Sequence, residues 1–259
     1  MEVHHHSHSP DPGLHGGRKK WTHYFWEFFM LFLAVTLGFF VENKREHYIE
    51  HKREKEYVKQ LVQDLKTDTA FFLVSISANT SNQARMDSLI VLLQQYRQGE
   101  STEDMYYLAR NITSRGISTQ YSNRTFEQLK NSGSLRLIRN TRVLDSVTLY
   151  YESLKDLDIR LQHRLQRLHN LFLANEDLFD GWALTGIADS GLKKISHTPP
   201  LLTNDKATIS RYITRLGYYK SADEAIIGRI REIYLPSAIR LIALLKREYH
   251  LSERTPSEK

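Results

Sequence analysis

The sequence predicts an all-α chain: an N-terminal transmembrane helix continuing into a stalk and a soluble antiparallel helical bundle. Three observations carry this. The stretch Trp21–Val41, WTHYFWEFFMLFLAVTLGFFV, is almost wholly apolar. The chain of 259 residues holds only 6 Pro and 12 Gly, while Leu, Lys, Arg and Glu are plentiful, a balance that favours helix. Apolar residues recur at spacings of three and four, and no strand-like alternation persists.

Residues 1–20, MEVHHHSHSPDPGLHGGRKK, read as a disordered tail, because Pro10, Pro12, Gly13, Gly16 and Gly17 forbid a stable helix. Two readings of His4, His5, His6 and His8 stand: a loose site for a transition metal, or a solvated tract.

Residues 21–41 read as the span. About 20 apolar residues cross a bilayer, and the uncharged run Phe28–Val41 has only 14. It reaches spanning length only by extending back to Trp21, which takes in Glu27 and His23. Trp21, Tyr24 and Trp26 suit the interface, and Arg18, Lys19 and Lys20 stand outside it. A signal peptide fits poorly, since Leu37–Val41 offers no small-residue cleavage site. Glu27, Leu31, Ala34 and Gly38 fall on one stripe, and Ala34 with Gly38 forms a small-xxx-small pair that lets helix backbones approach. The stripe reads as a helix-contact face. Glu27 is a proton or cation site, or it fixes assembly with a partner, or it is a carboxylate at headgroup depth that reaches water.

Residues 42–56, ENKREHYIEHKREKE, read as a charged helical stalk continuous with the span, supported by pairs such as Glu42–Arg45, Glu50–Arg53 and Lys52–Glu56. The bundle then occupies 57–251, followed by a polar tail at 252–259. Tyr57, Val58, Leu61, Val62, Leu65, Phe72 and Ile76 begin its apolar face, and Met86, Leu89, Ile90, Leu93 and Tyr96 resume it. Between them Asn79–Asn82 reads as a kink or an exposed turn, and Gly99 ends the helix. Ser101 with Asp104 starts a short helix that Gly116 ends. Thr125 with Gln128 forms a capping box, Phe126 and Leu129 face inward, and Ser132–Gly133 is a stop. Leu135, Leu137 and Ile138 make a further turn. Asn140 caps a helix over about 141–175, long enough to pair antiparallel with the first. Residues 176–202 read as an irregular loop, a possible lid, with Phe179 and Trp182 tucked in. Thr203 or Asn204 caps a helix to about Tyr218, Ser221 with Glu224 boxes the start of the last helix, and Pro236 kinks that helix.

With no cysteine, disulfides, zinc–thiolate sites and cysteine nucleophiles are excluded. The net charge of +6 is modest, and bases alternate with acids, so no nucleic-acid surface is expected. There is no glycine-rich phosphate loop and no H-E-x-x-H motif. His163 and His169 point apart as co-ligands, and Asp156, Asp158, Asp177 and Asp180 read as solvent-facing charge. No catalytic residue, cofactor or enzyme activity is implied. Three Lys/Arg precede the span and six follow within 20 residues, which by count puts the bundle in the cytoplasm. The upstream three are undiluted by acids, and large domains translocate with less regard to charge, which tips the balance to a periplasmic bundle.

The opening MEVHHHSH, the segment RKKWTHYFWEFFMLFLAVTLGFFVENKREHYIEHKREKEYVKQLVQDLKTDT, and LKNSGSLRLIRN followed by Tyr150–Tyr151 resemble an uncharacterised family of short bacterial single-span membrane proteins. The resemblance is strong over the first 68 residues, moderate over Asn123–Tyr151, and limited to helical character in the C-terminal third. It implies a bacterial inner-membrane protein whose His-rich tail is native, and it carries over no catalytic residue. The expected role is a membrane-anchored structural or interaction protein, with the lipid bilayer and a second copy or a membrane protein as partners. The alternatives are a subunit of an ion-coupled or signalling complex with Glu27 as a protonatable group, and a sensor whose bundle binds a ligand.

Overall fold

A computed structural model describes residues 21–114, 119–195 and 197–251. It contains seven α-helices among the described residues: α1 (Trp21–Gln95), α2 (Glu103–Ser114), α3 (Arg124–Asn131), α4 (Thr141–Leu178), α5 (Gly181–Asp189), α6 (Lys206–Arg229) and α7 (Leu235–Glu248). A 3-10 turn, Ser134–Leu137, lies between α3 and α4, and a π-helical turn, Ile230–Tyr234, joins α6 to α7. No described residue is in a strand, so the all-α expectation holds. The chain divides into two units at Lys52/Arg53.

In the first unit every described residue is helical, and every residue from Trp21 to Tyr48 is exposed. Glu42 and Arg45 pair as expected, at 2.6 Å.

The second unit is organised by heptads. On α1 the buried positions step by four and three without interruption: Glu54, Val58, Leu61, Leu65, Asp68, Phe72, Ser75, Asn79, Asn82, Met86, Leu89 and Leu93. Burial thus starts at Glu54, three residues before the expected edge of the bundle. On α4 the same alternation runs from Val143 through Val147, Tyr150 and Leu154 to Leu157, and Arg164, Leu171 and Leu178 follow it at steps of seven. Ile159 and Leu165, counted among the apolar set, lie on its exposed side. The third rod is α6 with α7: Tyr212, Leu216, Tyr219, Asp223, Ile226 and Ile230 keep the alternation, and Tyr234, Ala238, Leu241 and Leu245 take it up again.

Cross-links fix the directions. Glu54 reaches the Arg139 N–H beside the start of α4, and Asp68 takes the Tyr150 hydroxyl, so α1 and α4 run parallel. Arg164 meets Asp223 and Asn140 meets Glu248, so α6–α7 runs antiparallel to α4. Glu54–Tyr249 and Asp87–Lys220 make it antiparallel to α1 as well. The expected antiparallel pairing of α4 with α1 is therefore corrected. Residues 96–140 act as a crossover that returns the chain to the start of α1 before α4 begins, and the antiparallel partner of both is the last rod.

Several local expectations are met. Gly99 and Gly133 take positive φ, 95° and 66°, where the turns end helices. The Asn140 side chain accepts from Val143 N–H at 3.3 Å. Others are corrected. The helix α2 starts at Glu103, with Thr102 rather than Ser101 before it; Thr102 Oγ1 is spent on Pro199 O at 2.8 Å. Gly116 lies outside the described residues. Thr125 is inside α3 and caps nothing: its N–H donates to Asp64 Oδ2 on α1 at 3.1 Å, so a carboxylate from another helix replaces the capping box. Asn79–Asn82 neither kinks nor is exposed as a patch, because Asn79 and Asn82 occupy heptad core positions.

Residues 176–202 are irregular only in part: the described residues from Ser190 to Leu202 form no helix, but the first half does. The helix α4 continues to Leu178, α5 follows, and Asp180 caps α5 by accepting from Ala183 N–H at 2.9 Å. The Tyr106 hydroxyl accepts from Asp180 N–H and donates to Pro200 O, stitching the segment to α2. Phe179 is buried, but Trp182 is 87% exposed. Asp205, not Thr203 or Asn204, caps α6, accepting from Ala207 and Thr208 N–H. Ser221 starts no helix, since the stripe Leu216–Tyr219–Asp223–Ile226 continues through it. The kink expected at Pro236 is replaced by the π-helical turn, in which Leu235 N–H reaches five residues back to Ile230 O. Pro236 has no N–H to give, and the widened turn absorbs that loss.

Asn140→Ala should lower stability by about 1 kcal/mol through loss of the α4 cap, measured as the unfolding free energy of the detergent-solubilised chain. Thr125→Ala should leave it nearly unchanged, whereas a true capping box would give both substitutions a similar cost.

Candidate functional site

The stripe expected to carry function is fully exposed in its own chain. Glu27, Leu31, Ala34 and Gly38 lie on a helical segment with no buried residue. A Cβ added at Gly38 meets nothing within 4 Å. Around them the aromatic side chains stack on one another along the helix, Phe25 on Phe29 and Phe28 on Phe32, each at 6.3 Å. Thr36 returns its hydroxyl to Phe32 O at 2.8 Å, which leaves no polar side-chain group of its own pointing outward. His4, His5, His6 and His8 lie outside the described residues. Among the described residues no cluster of His, Asp and Glu is arranged to hold a metal.

Sequence reasoning missed a buried polar layer in the second unit. Two apolar clusters fill the bundle, one around Val58–Phe72, Val143–Leu157 and Ile226–Leu245, the other around Met86–Leu93, Leu171–Leu178 and Tyr212–Tyr219. Between them lie Ser75, Asn79 and Asn82 of α1, Arg164 of α4 and Asp223 of α6, all buried. The Arg164 guanidinium donates from Nε to Asp223 Oδ1 and from Nη2 to the Tyr219 hydroxyl at 2.9 Å, and it stands over the Tyr219 ring. Burial pushes the Asp223 carboxyl up, and the Arg164 charge opposes that rise. The α1 side of the layer is unsatisfied: Ser75 Oγ, Asn79 Nδ2, both amide atoms of Asn82 and Asp223 Oδ2 are buried without hydrogen-bond partners. Asn82 is near enough to favour ionised Asp223, yet it does not reach hydrogen-bonding geometry. The missed signal is the period itself. Position 164 falls seven residues from Leu157 and Leu171, and an arginine at that step has to be buried and paired.

A second buried group holds the crossover. Asp68 accepts from Ser122 N–H at 2.6 Å with one oxygen and from the Tyr150 hydroxyl at 2.9 Å with the other. One turn earlier, Asp64 takes the N-terminus of α3. Tyr121 donates to Asp158 Oδ2 at 2.5 Å, so Asp158 is not merely solvent-facing charge. Asp156 is likewise engaged, by Arg160 and the Tyr234 hydroxyl. Burial pushes Asp68 up to about 6, against the lowering effect of its two donors. Both oxygens are occupied from within the fold, so the group holds structure and offers no open position to a substrate.

The fold and these sites define an all-α chain in which one helix is long and apolar enough to cross a membrane, with none of that window buried. The chain matches no known family model, no curated protein and no solved structure.

Two outcomes follow from the buried charges. Arg164→Leu alone should cost about 3–5 kcal/mol, because it strands Asp223 in the core, while Arg164→Leu with Asp223→Leu should recover most of that loss. A double-mutant cycle by chemical denaturation measures the coupling. For Asp68 the folded chain holds the proton more tightly than the unfolded chain, whose value is near 3.8. Stability should therefore be greatest below pH 3.8 as far as this group is concerned and fall as pH rises through about 6, by at most about 3 kcal/mol. Asp68→Asn should flatten that segment of the stability–pH curve.

Proposed function

We propose that this protein is a membrane-anchored interaction protein: residues 21–41 cross the bilayer and pair through the Glu27–Leu31–Ala34–Gly38 face, and the helical unit from Arg53 onward is presented on one side. The observation that carries the reading is the wholly exposed apolar helix. Phe39 is 74% and Leu31 67% exposed, and large apolar side chains continue around the helix from Trp21 to Val41. Such a surface in water would cost far more than scattered exposed apolar residues do, and a bilayer removes that cost. Within lipid, apolar contact alone does not bring helices together, so the small pair and the polar atom of the stripe become the groups that can. The resemblance to single-span bacterial proteins supports an inner-membrane location, and the undiluted Arg18–Lys19–Lys20 cluster supports a periplasmic bundle.

The cysteine-free chain makes the test direct. Single cysteines at Ala34 and Gly38 should give disulfide-linked dimers in native membranes under mild oxidation. Phe40→Cys, turned about 200° from Gly38 on an α-helix, should not. Gly38→Leu should abolish crosslinking at Ala34 without clashing inside its own chain, since space around Gly38 is open. Equal yields at all three positions, or only monomers, would remove the stripe as a contact. Growth and membrane potential altered by Glu27→Gln with crosslinking intact would favour the ion-coupled reading instead.

A further inference from the structure

A cleft of about 510 Å³ opens between α2, α4 and α5, within the ~300–1,000 Å³ range of small-molecule sites. Arg110 of α2 stands in it. The Nε of Arg110 is shielded from solvent and makes no hydrogen bond, and among the described residues no carboxylate forms an ion pair with its guanidinium. A half-buried guanidinium that is held in no ion pair is a ready seat for a carboxylate, which an arginine binds with two parallel donors. Asn175 adds a donor: its Oδ1 is taken by the Tyr212 hydroxyl at 2.9 Å, which leaves Nδ2 as its spare group. The walls are apolar. Phe172 and Leu202 line the cleft, and both are substantially exposed, with Leu184 beside them from α5. Glu176 and Asp180 also line it; Glu176 is exposed and forms no ion pair among the described residues, and Asp180 Oδ1 accepts from Ala183 N–H.

This pattern of one cation, two carboxylates (Glu176 and the α5-capping Asp180) and an apolar wall does not suit a simple anion, which both carboxylates would repel. We propose that the cleft binds a small zwitterion with an apolar side chain, an amino acid or a short apolar peptide. The ligand carboxylate sits on Arg110 and Asn175, its ammonium faces Glu176, and its side chain covers Phe172, Leu184 and Leu202. The inference is independent of the membrane reading, because every residue it uses lies in the second unit.

Titration calorimetry on the full chain in nanodiscs tests it, with L-phenylalanine and L-leucyl-L-phenylalanine as probes and 3-phenylpropionate and phenethylamine as controls lacking one charge. Saturable binding of a zwitterion is expected, and whichever of the two binds more tightly decides between amino acid and peptide. Arg110→Gln should weaken it by roughly tenfold or more, with Arg110→Lys in between. Glu176→Gln should weaken the zwitterion and strengthen 3-phenylpropionate. Leu184→Trp, which fills the cleft without removing either charge, should abolish binding. Arg110 carries no internal bond through Nε, so its loss should leave the melting temperature unchanged and keep the affinity readout clean. No saturable heat from either zwitterion up to about 10 mM overturns the proposal. So does an affinity unchanged by Arg110→Gln, or 3-phenylpropionate binding as well as phenylalanine in the unmodified chain.

Discussion

The Arg164–Asp223 pair constrains the whole bundle. It lies where three heptad stripes meet, in the position an aliphatic side chain would ordinarily take. Two ions withdrawn from water gain little net stability, but losing either one is severe. The pair therefore sets which residue of α4 faces which residue of α6. A slide of α6 by one heptad would leave both charges alone among the apolar clusters on either side. That contact sets register together with the Asn175–Tyr212, Asp156–Tyr234 and Asn140–Glu248 bonds, and the aliphatic layers above and below supply the stability. The unsatisfied amides of Asn79 and Asn82 place a further cost on the α1 side, so α1 is held at this level more by its neighbours than by the layer itself.

Much of the architecture was legible because it is local. The helix ends at Gly99 and Gly133 and the Asn140 cap follow from backbone chemistry that a few neighbouring residues determine. Most of the apolar stripe of α4 could be read from spacing. What could not be read is long-range. Thr125–Gln128 looked like a capping box, but the α3 donors are met by Asp64, sixty-one residues upstream of Thr125. Ser221–Glu224 had the same form in the middle of a helix whose buried stripe never stops. Asn79–Asn82 read as a kink or an exposed turn, and Asp68 and Ser75 drew no reading, because hydropathy alone does not distinguish a buried polar side chain from an exposed one. The cleft was invisible for a similar reason. Arg110 and Phe172 belong to different helices, and only the crossover brings α2 back beside α4 and α5.

The π-helical turn and Pro236 show how a local violation is absorbed. Up to Ile230 the last rod keeps the three-four alternation; across the turn the buried positions step by four twice, Ile230 to Tyr234 to Ala238. The extra residue rotates α7 enough to keep Leu241 and Leu245 in the core beyond it. It also turns the Tyr234 hydroxyl to Asp156 at 3.1 Å. A proline that would otherwise break a helix thus marks where the rod changes phase.

The crossover also imposes an order on the making of the protein. The Glu54 carboxylate takes the Arg139 N–H and, last, the Tyr249 hydroxyl, 195 residues further along the chain. Val58, Leu61, Leu65 and Phe72 share their cluster with Leu241 and Leu245, which are made only after all the helices between them. Until then a long apolar stripe stays uncovered through most of synthesis, and contacts of such high sequence separation form slowly. A chain interrupted before α7 would carry that open stripe as a binding surface for chaperones and proteases, so completion of α7 becomes the condition for surviving quality control.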